Sequence, residues 1–178
     1  MMNTHTIFNP VMIRNVCSKT YLDMFMHLIP SIELWEDEEQ IAEEDYDKIN
    51  LTKLNIIEHG HYKNPLLAGI AIGLMSQIYD AGGKDYFTPE MHFCGLSVKD
   101  KSTKVNLHTD NWDENKLKVL GILNSDWKKT YGGGFEHGGV LHSPEPGDFI
   151  IFDPRVPHRA QDILTDKKRI AIDWTLKL

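Results

Sequence analysis

His108, Asp110 and His158 are the residues of this 178-residue chain whose types and spacing most plainly imply chemistry. A His-Thr-Asp run puts an imidazole and a carboxylate one residue apart, and a second imidazole follows Asp153-Pro154-Arg155-Val156-Pro157. Alternate side chains of a strand point the same way, so Asn106, His108 and Asp110 would face one side while Leu107 and Thr109 face the other. Such a strand end can offer two ligands to one ion, at roughly 2.0–2.2 Å by the measure of zinc sites. His158 would bring the third from a separate strand, on an approach stiffened by two prolines. Two nitrogens and one oxygen leave positions open on the metal. That suits a ferrous centre that takes up small molecules better than a structural site closed by four protein ligands. Taken alone, the spacings are also met by histidines satisfied by solvent or by the core.

Arg169 narrows the alternatives. On a strand over 169–176, Arg169, Ala171, Asp173 and Thr175 share one face, and Ile170, Ile172, Trp174 and Leu176 share the other. The second face is wholly apolar and belongs in the core or under helices. The first then turns a permanent cation into a cavity, where an arginine without a partner is costly. A dicarboxylic acid that chelates iron at one end could pair its other end with the guanidinium in a bidentate contact. A structural salt bridge to Asp162 or Asp173 is the competing reading. Asn106 is a candidate for a polar contact to cosubstrate or substrate, or else a strand-edge residue facing solvent.

The other histidines carry less. His59-Gly-His61 is a possible ligand pair but reads more simply as a turn. His92 is placed to line a cavity beside the site, His137 and His142 read as loop or edge residues, and His5 and His27 have no evident partner. Gly132-Gly133-Gly134 allows a close backbone approach or a bend; it lacks the Lys-Ser/Thr that would make it a phosphate loop. Trp127 and Phe135 read as packing residues.

The elements that must position these groups divide the chain in two. Ser18 can cap a helix with Tyr21, Leu22, Phe25, Leu28 and Ile29 at helical spacing, ended by Pro30. Asn64-Pro65 starts a second helix and Gly82-Gly83 ends it. The first ninety residues thus read as a helical support region. From 91 onward, strands are predicted near 91–98, 104–110, 117–124, 133–141, 148–152, 157–161 and 169–176, a pattern for two sheets enclosing a cavity. The fold class expected is mainly β with N-terminal α: a cupin-like jelly roll with supporting helices, one domain over 1–178.

Composition sets outer bounds. The net charge of −7 disfavours non-specific nucleic-acid binding, which needs a basic surface. Glu33 to Asp47 holds nine acidic residues and no basic one, a solvated face or a docking patch for a basic partner. Leu66 to Met75 is too short for a membrane span, and no signal peptide is recognisable. Two cysteines, Cys17 and Cys94, fit a reducing interior, hence a cytoplasmic location.

The stretch from Lys104 to Lys177 resembles the 2-oxoglutarate- and Fe(II)-dependent dioxygenases, in particular the prolyl 4-hydroxylase-like branch and its oxygen-sensing members. The likeness rests on His108-Thr-Asp110, Leu123-Asn-Ser-Asp-Trp127, Gly132-Gly-Gly-Phe-Glu136, Glu145-Pro-Gly-Asp-Phe-Ile-Ile-Phe152, Pro157-His158 and Arg169-Ile-Ala-Ile. It implies a double-stranded β-helix in which His108, Asp110 and His158 hold Fe(II) and Arg169 receives the distal carboxylate of 2-oxoglutarate. With O2, such an enzyme hydroxylates an unactivated C–H bond of a peptidyl or free amino-acid side chain such as proline, releasing succinate and CO2. Asp110 favours hydroxylation, since halogenating relatives carry a small residue there. The chain departs from the pattern at Ile122, where the oxygen-sensing enzymes have a cosubstrate-binding tyrosine, and at Ala171 and Asp173, where hydroxyl residues are common. Two other readings stand beside this one: the same chemistry on a nucleobase or small metabolite, and a metal-loaded cupin-like binding module without oxygen chemistry.

Overall fold

The computed structural model describes residues 9–29, 36–37, 48–49, 51–110 and 115–177. Strand β1 (Val11–Ile13) leads into helix α1 (Lys19–Leu28), and the short strands β2 (Glu36–Asp37) and β3 (Lys48–Ile49) precede β4 (Thr52–Glu58) and β5 (His61–Tyr62). Helix α2 (Pro65–Asp80) follows. Apart from single 3-10 turns at Gly83–Asp85 and Lys129–Tyr131, the remaining elements are strands: β6 (Met91–Lys99), β7 (Lys104–Val105), β8 (Lys116–Ile122), β9 (Phe135–His137), β10 (Val140–His142), β11 (Phe149–Phe152), β12 (His158–Ala160) and β13 (Arg169–Lys177).

Eight strands form one antiparallel sheet in the order β1-β11-β8-β13-β6-β4-β2, with β5 on β4. Strands β10-β9-β12 form a second, and β3 pairs with β7. An antiparallel bridge between His108 and His158 ties the 106–110 segment to the second sheet. The two main sheets make the double-stranded β-helix expected from the sequence, mainly β with two helices.

The alternation on β13 decides the layering. Ile172, Trp174 and Leu176 are fully buried, in one cluster with Leu22 and Phe25 of α1 and Leu67, Ala71, Leu74 and Ile78 of α2. Burying a side chain of this size stabilises the fold by about 1.5–3 kcal/mol. Both helices start as their sequences predict. Ser18 Oγ accepts from the Tyr21 amide at 3.2 Å, and Asn64 Oδ1 accepts from the Leu67 amide at 3.0 Å, with Pro65 in the first turn. Facing the other way, Phe135, Ile150 and Phe152 pack between the sheets.

Three sequence expectations need correction. The first ninety residues are not simply helical, because β1 and β4 belong to the main sheet. The register of β4 against β6 shifts between Asn55 and Ile57, so its apolar residues break strict alternation and hide a strand. The 104–110 stretch is a strand only at Lys104–Val105, with an isolated bridge at His108. The 133–141 stretch is a hairpin: Gly138 and Gly139, at φ 57° and 79°, form the two-residue turn between β9 and β10. Of the acidic stretch, only the backbone of Glu36–Asp37 lies within the described residues. Among the described residues no helix is long and apolar enough to cross a membrane.

Candidate metal centre

His108 and His158 meet through their backbones. The His108 amide donates to the His158 carbonyl at 3.1 Å and the His158 amide returns the bond at 2.8 Å, while the Asp110 amide donates to the Pro154 carbonyl at 2.9 Å. These three bonds bring together side chains that are far apart in sequence. The potential ligand atoms of His108, Asp110 and His158 all lie within 4.8 Å of one another. His108 Nε2 is 3.8 Å from Asp110 Oδ1, and His158 Nε2 is 3.6 Å from Asp110 Oδ2.

Both rings are oriented the same way. His108 Nδ1 donates to the Asn106 carbonyl and His158 Nδ1 to the Val156 carbonyl, each at 2.8 Å. A carbonyl can only accept, so the proton sits on Nδ1 and Nε2 is the nitrogen whose lone pair can ligate a metal. This is the outer support that ligating histidines require. Asn106 contributes here through its backbone. Its side chain is exposed and is not among the residues lining the adjoining cavity.

Asp110 lies deep enough that burial alone would raise its pKa. The adjoining His158 imidazole and the Lys118 ammonium outweigh burial and hold the carboxyl well below the ordinary carboxylate range. Lys118 Nζ is 2.7 Å from Asp110 Oδ2, an ion pair at hydrogen-bond length though off hydrogen-bond angle, and 3.9 Å from Asp173 Oδ2. Burial would lower the pKa of Lys118, but the charges of Asp173 and Asp110 raise it above its usual value. Nothing in the sequence singled out Lys118, because a lysine on a strand reads as a solvated edge.

The triad forms part of the wall of a cavity of about 360 Å3. Asp173 and Thr175 of β13 line it, as their face of the strand predicts, and Phe135 and Phe152 pack beside His158. Strands β6 and β4, next to β13 in the same sheet, add Asn55, Ser97 and His92 to the lining. His59 also lines it, edge-to-face with His92 at 5.0 Å. His59-Gly60 is a turn, with His59 at φ 49°. His137, expected at a loop or edge, is buried instead, its Nε2 3.0 Å from the Asp153 carbonyl and its ring stacked on His158.

Arg169 is 2% exposed and lies on the same face of β13, beyond the cavity wall. Its Nη1 donates to the Gly133 carbonyl, and its Nε has no hydrogen-bond partner among the described residues. No carboxylate pairs with it there: Asp162 pairs with Lys104 and Asp173 lies near Lys118. Burial lowers its pKa to about 10. Gly133, at φ 70°, permits this contact, since a Cβ there would sit 2.8 Å from Ile163 Cδ1 and 3.0 Å from Arg169 Nη1.

No protein-family model matches the chain, and no curated protein sequence matches it. Solved structures do match. A prolyl-4-hydroxylase of Pseudomonas putida superposes with TM-score 0.65 at 15% identity, covering 95% of this chain and 92% of that one. An oxidoreductase of the 2OG-Fe(II) oxygenase family from Burkholderia pseudomallei gives TM-score 0.71 at 15% identity, covering 94% and 84%. A non-heme alpha ketoglutarate dependent carbocyclase from nogalamycin biosynthesis gives TM-score 0.66 at 15% identity, covering 94% and 79%. The chain has the fold of these proteins, and it carries a His-x-Asp…His triad whose donor atoms converge.

Proposed function

We propose that this chain is a single-domain Fe(II)- and 2-oxoglutarate-dependent dioxygenase that hydroxylates an unactivated C–H bond. One observation carries the reading: two imidazoles and a carboxylate converge at the wall of a cavity in a fold shared with such oxygenases. The residues present suit the groups required. The donor set is that of a ferrous facial triad, and a buried guanidinium with an unsatisfied Nε and no acid partner among the described residues suits a ligand carboxylate. When bound, iron, 2-oxoglutarate and O2 supply the oxidising chemistry, with succinate and CO2 as by-products.

The protein's own part is positional. His108, Asp110 and His158 would hold the metal, the Nε2 atoms of the two histidines aimed by the Asn106 and Val156 carbonyls. Arg169, fixed by Gly133, would anchor the far carboxylate of 2-oxoglutarate. Phe135 and Phe152 make part of the pocket lining apolar, while Asn55, Ser97, His59 and His92 offer polar contacts to a substrate. The substrate favoured is a peptidyl or free amino-acid side chain such as proline. The cavity is near the lower end of ligand-site volumes, roughly 300–1,000 Å3, which also supports a small metabolite. The two free cysteines are consistent with the reducing cytoplasm.

The test is succinate release and 2-oxoglutarate consumption with Fe(II) across a panel of peptides, amino acids and small metabolites. Iron-dependent turnover is expected, and His158→Ala should abolish it together with metal binding. Near-normal turnover in that variant would reject the triad. Metal binding without any 2-oxoglutarate consumption would instead favour a binding module.

A further inference from the structure

The side chain at Lys118 has no place in the assignments above, although no other cation comes as near to the triad among the ion pairs of the described residues. It projects from β8, opposite Thr175 on β13 and Phe152 on β11, and its side chain is 17% exposed. Its Nζ lies between two carboxylates from different parts of the fold: Asp110 Oδ2 at 2.7 Å and Asp173 Oδ2 at 3.9 Å. Asp173 is a diagonal neighbour across the β8–β13 ladder, so the sheet itself sets that second contact. An ammonium confined this way confronts one oxygen of the triad's carboxylate, Oδ2, so the two oxygens of Asp110 are no longer equivalent.

We propose that Lys118 is a positioning residue of the metal centre: held by Asp173, its ammonium occupies Asp110 Oδ2 and leaves Oδ1 to the metal. Asp110 then binds through one oxygen. A carboxylate free to chelate through both would take one of the open positions that a two-point 2-oxo acid and O2 require. The inference rests on the proposed metal site and adds to it a device that sets coordination number. It also gives Asp173 a role: the acid anchors the lysine.

Mn(II) titration of the metal-free protein, followed by electron paramagnetic resonance and by the water-proton relaxation of the bound ion, tests the idea without any turnover. Wild-type protein that binds no Mn(II) would overturn the metal site itself, and the inference with it. Given wild-type binding, the ion bound by Lys118→Met should lose one of about three coordinated waters, counted on an octahedron, as the second oxygen of Asp110 takes its place. Lys118→Arg should restore that water in part, and Asp173→Asn should fall between wild type and Lys118→Met. Unchanged relaxation in Lys118→Met, with only a lower melting temperature in chelator, would make the lysine a structural ion pair and overturn the proposal. Tighter Mn(II) binding with the water count unchanged would make the lysine only a competitor of the metal and overturn it equally. Should Lys118→Met fail to fold, Asp173→Asn decides by the same two readouts.

Discussion

At the scale of single residues, Arg169 and His137 make opposite uses of burial. Arg169 keeps its charge in the interior with one backbone acceptor and an unused Nε, so a ligand carboxylate relieves a standing cost. Arg169→Ala should raise the 2-oxoglutarate requirement about tenfold to hundredfold, as expected for a charged hydrogen bond of about 1.5–3 kcal/mol. Unchanged affinity by titration would assign the guanidinium another task. His137 is held neutral instead. Burial lowers its pKa, outweighing the hydrogen bond to the Asp153 carbonyl, and the neighbouring His158 lowers it further. Its folded pKa thus lies below the unfolded value of about 6.5, so the unfolded chain takes up a proton first as pH falls. The stability this histidine contributes is complete above about pH 6.5 and is lost as pH drops through the folded pKa. In chemical denaturation of the metal-free protein, His137→Gln should flatten that part of the pH dependence while keeping a donor for Asp153. An identical slope in the variant would show that other groups control it.

At the scale of elements, a glycine's backbone and a neighbour's position act together. Gly133→Ala forces a side chain into φ 70° and against both Ile163 and Arg169, a strain of about 1–3 kcal/mol. It should lower the melting temperature and weaken 2-oxoglutarate binding together. Gly139→Ala is the control: its φ is 79° but nothing lies within 4 Å of the added carbon. It should cost stability alone, and a matching loss of 2-oxoglutarate affinity there would detach the effect from Arg169. Legibility in the sequence followed the same division. Strand β13 could be read because its two faces alternate over nine residues, and α1 and α2 because Ser18 and Asn64 announce their caps. Strand β4 could not, since its bulge breaks the period that marks a strand. The convergence of His108 and Asp110 has another cause than strand alternation. They converge because their amides bond to His158 and Pro154, and the regular ladder invoked for 106–110 does not form. Lys118 stayed hidden because only cross-strand geometry distinguishes it from the other lysines of the sheet.

At the scale of the molecule, the proposed ligands join the two sheets. The metal would be held on the second sheet and the 106–110 segment, and the cosubstrate's far end on β13 of the first. Ligands of the native state stabilise it by mass action, about 2.7 kcal/mol at one hundred times the dissociation constant. Mn(II) should therefore raise the melting temperature. 2-Oxoglutarate should raise it further with metal present and much less without, since coupling between two bound groups is reciprocal. Equal shifts from 2-oxoglutarate with and without metal, measured by calorimetry, would show that the acid does not bridge the two. The reciprocal amide–carbonyl pair between His108 and His158 has one more consequence. On the ribosome, His158 emerges long after Asp110, and the donor cluster does not exist until that late arrival has docked. Loading of the proposed centre would thus wait until the strand that carries His158 has docked, so a polypeptide stopped before it could offer at most two of the three donors.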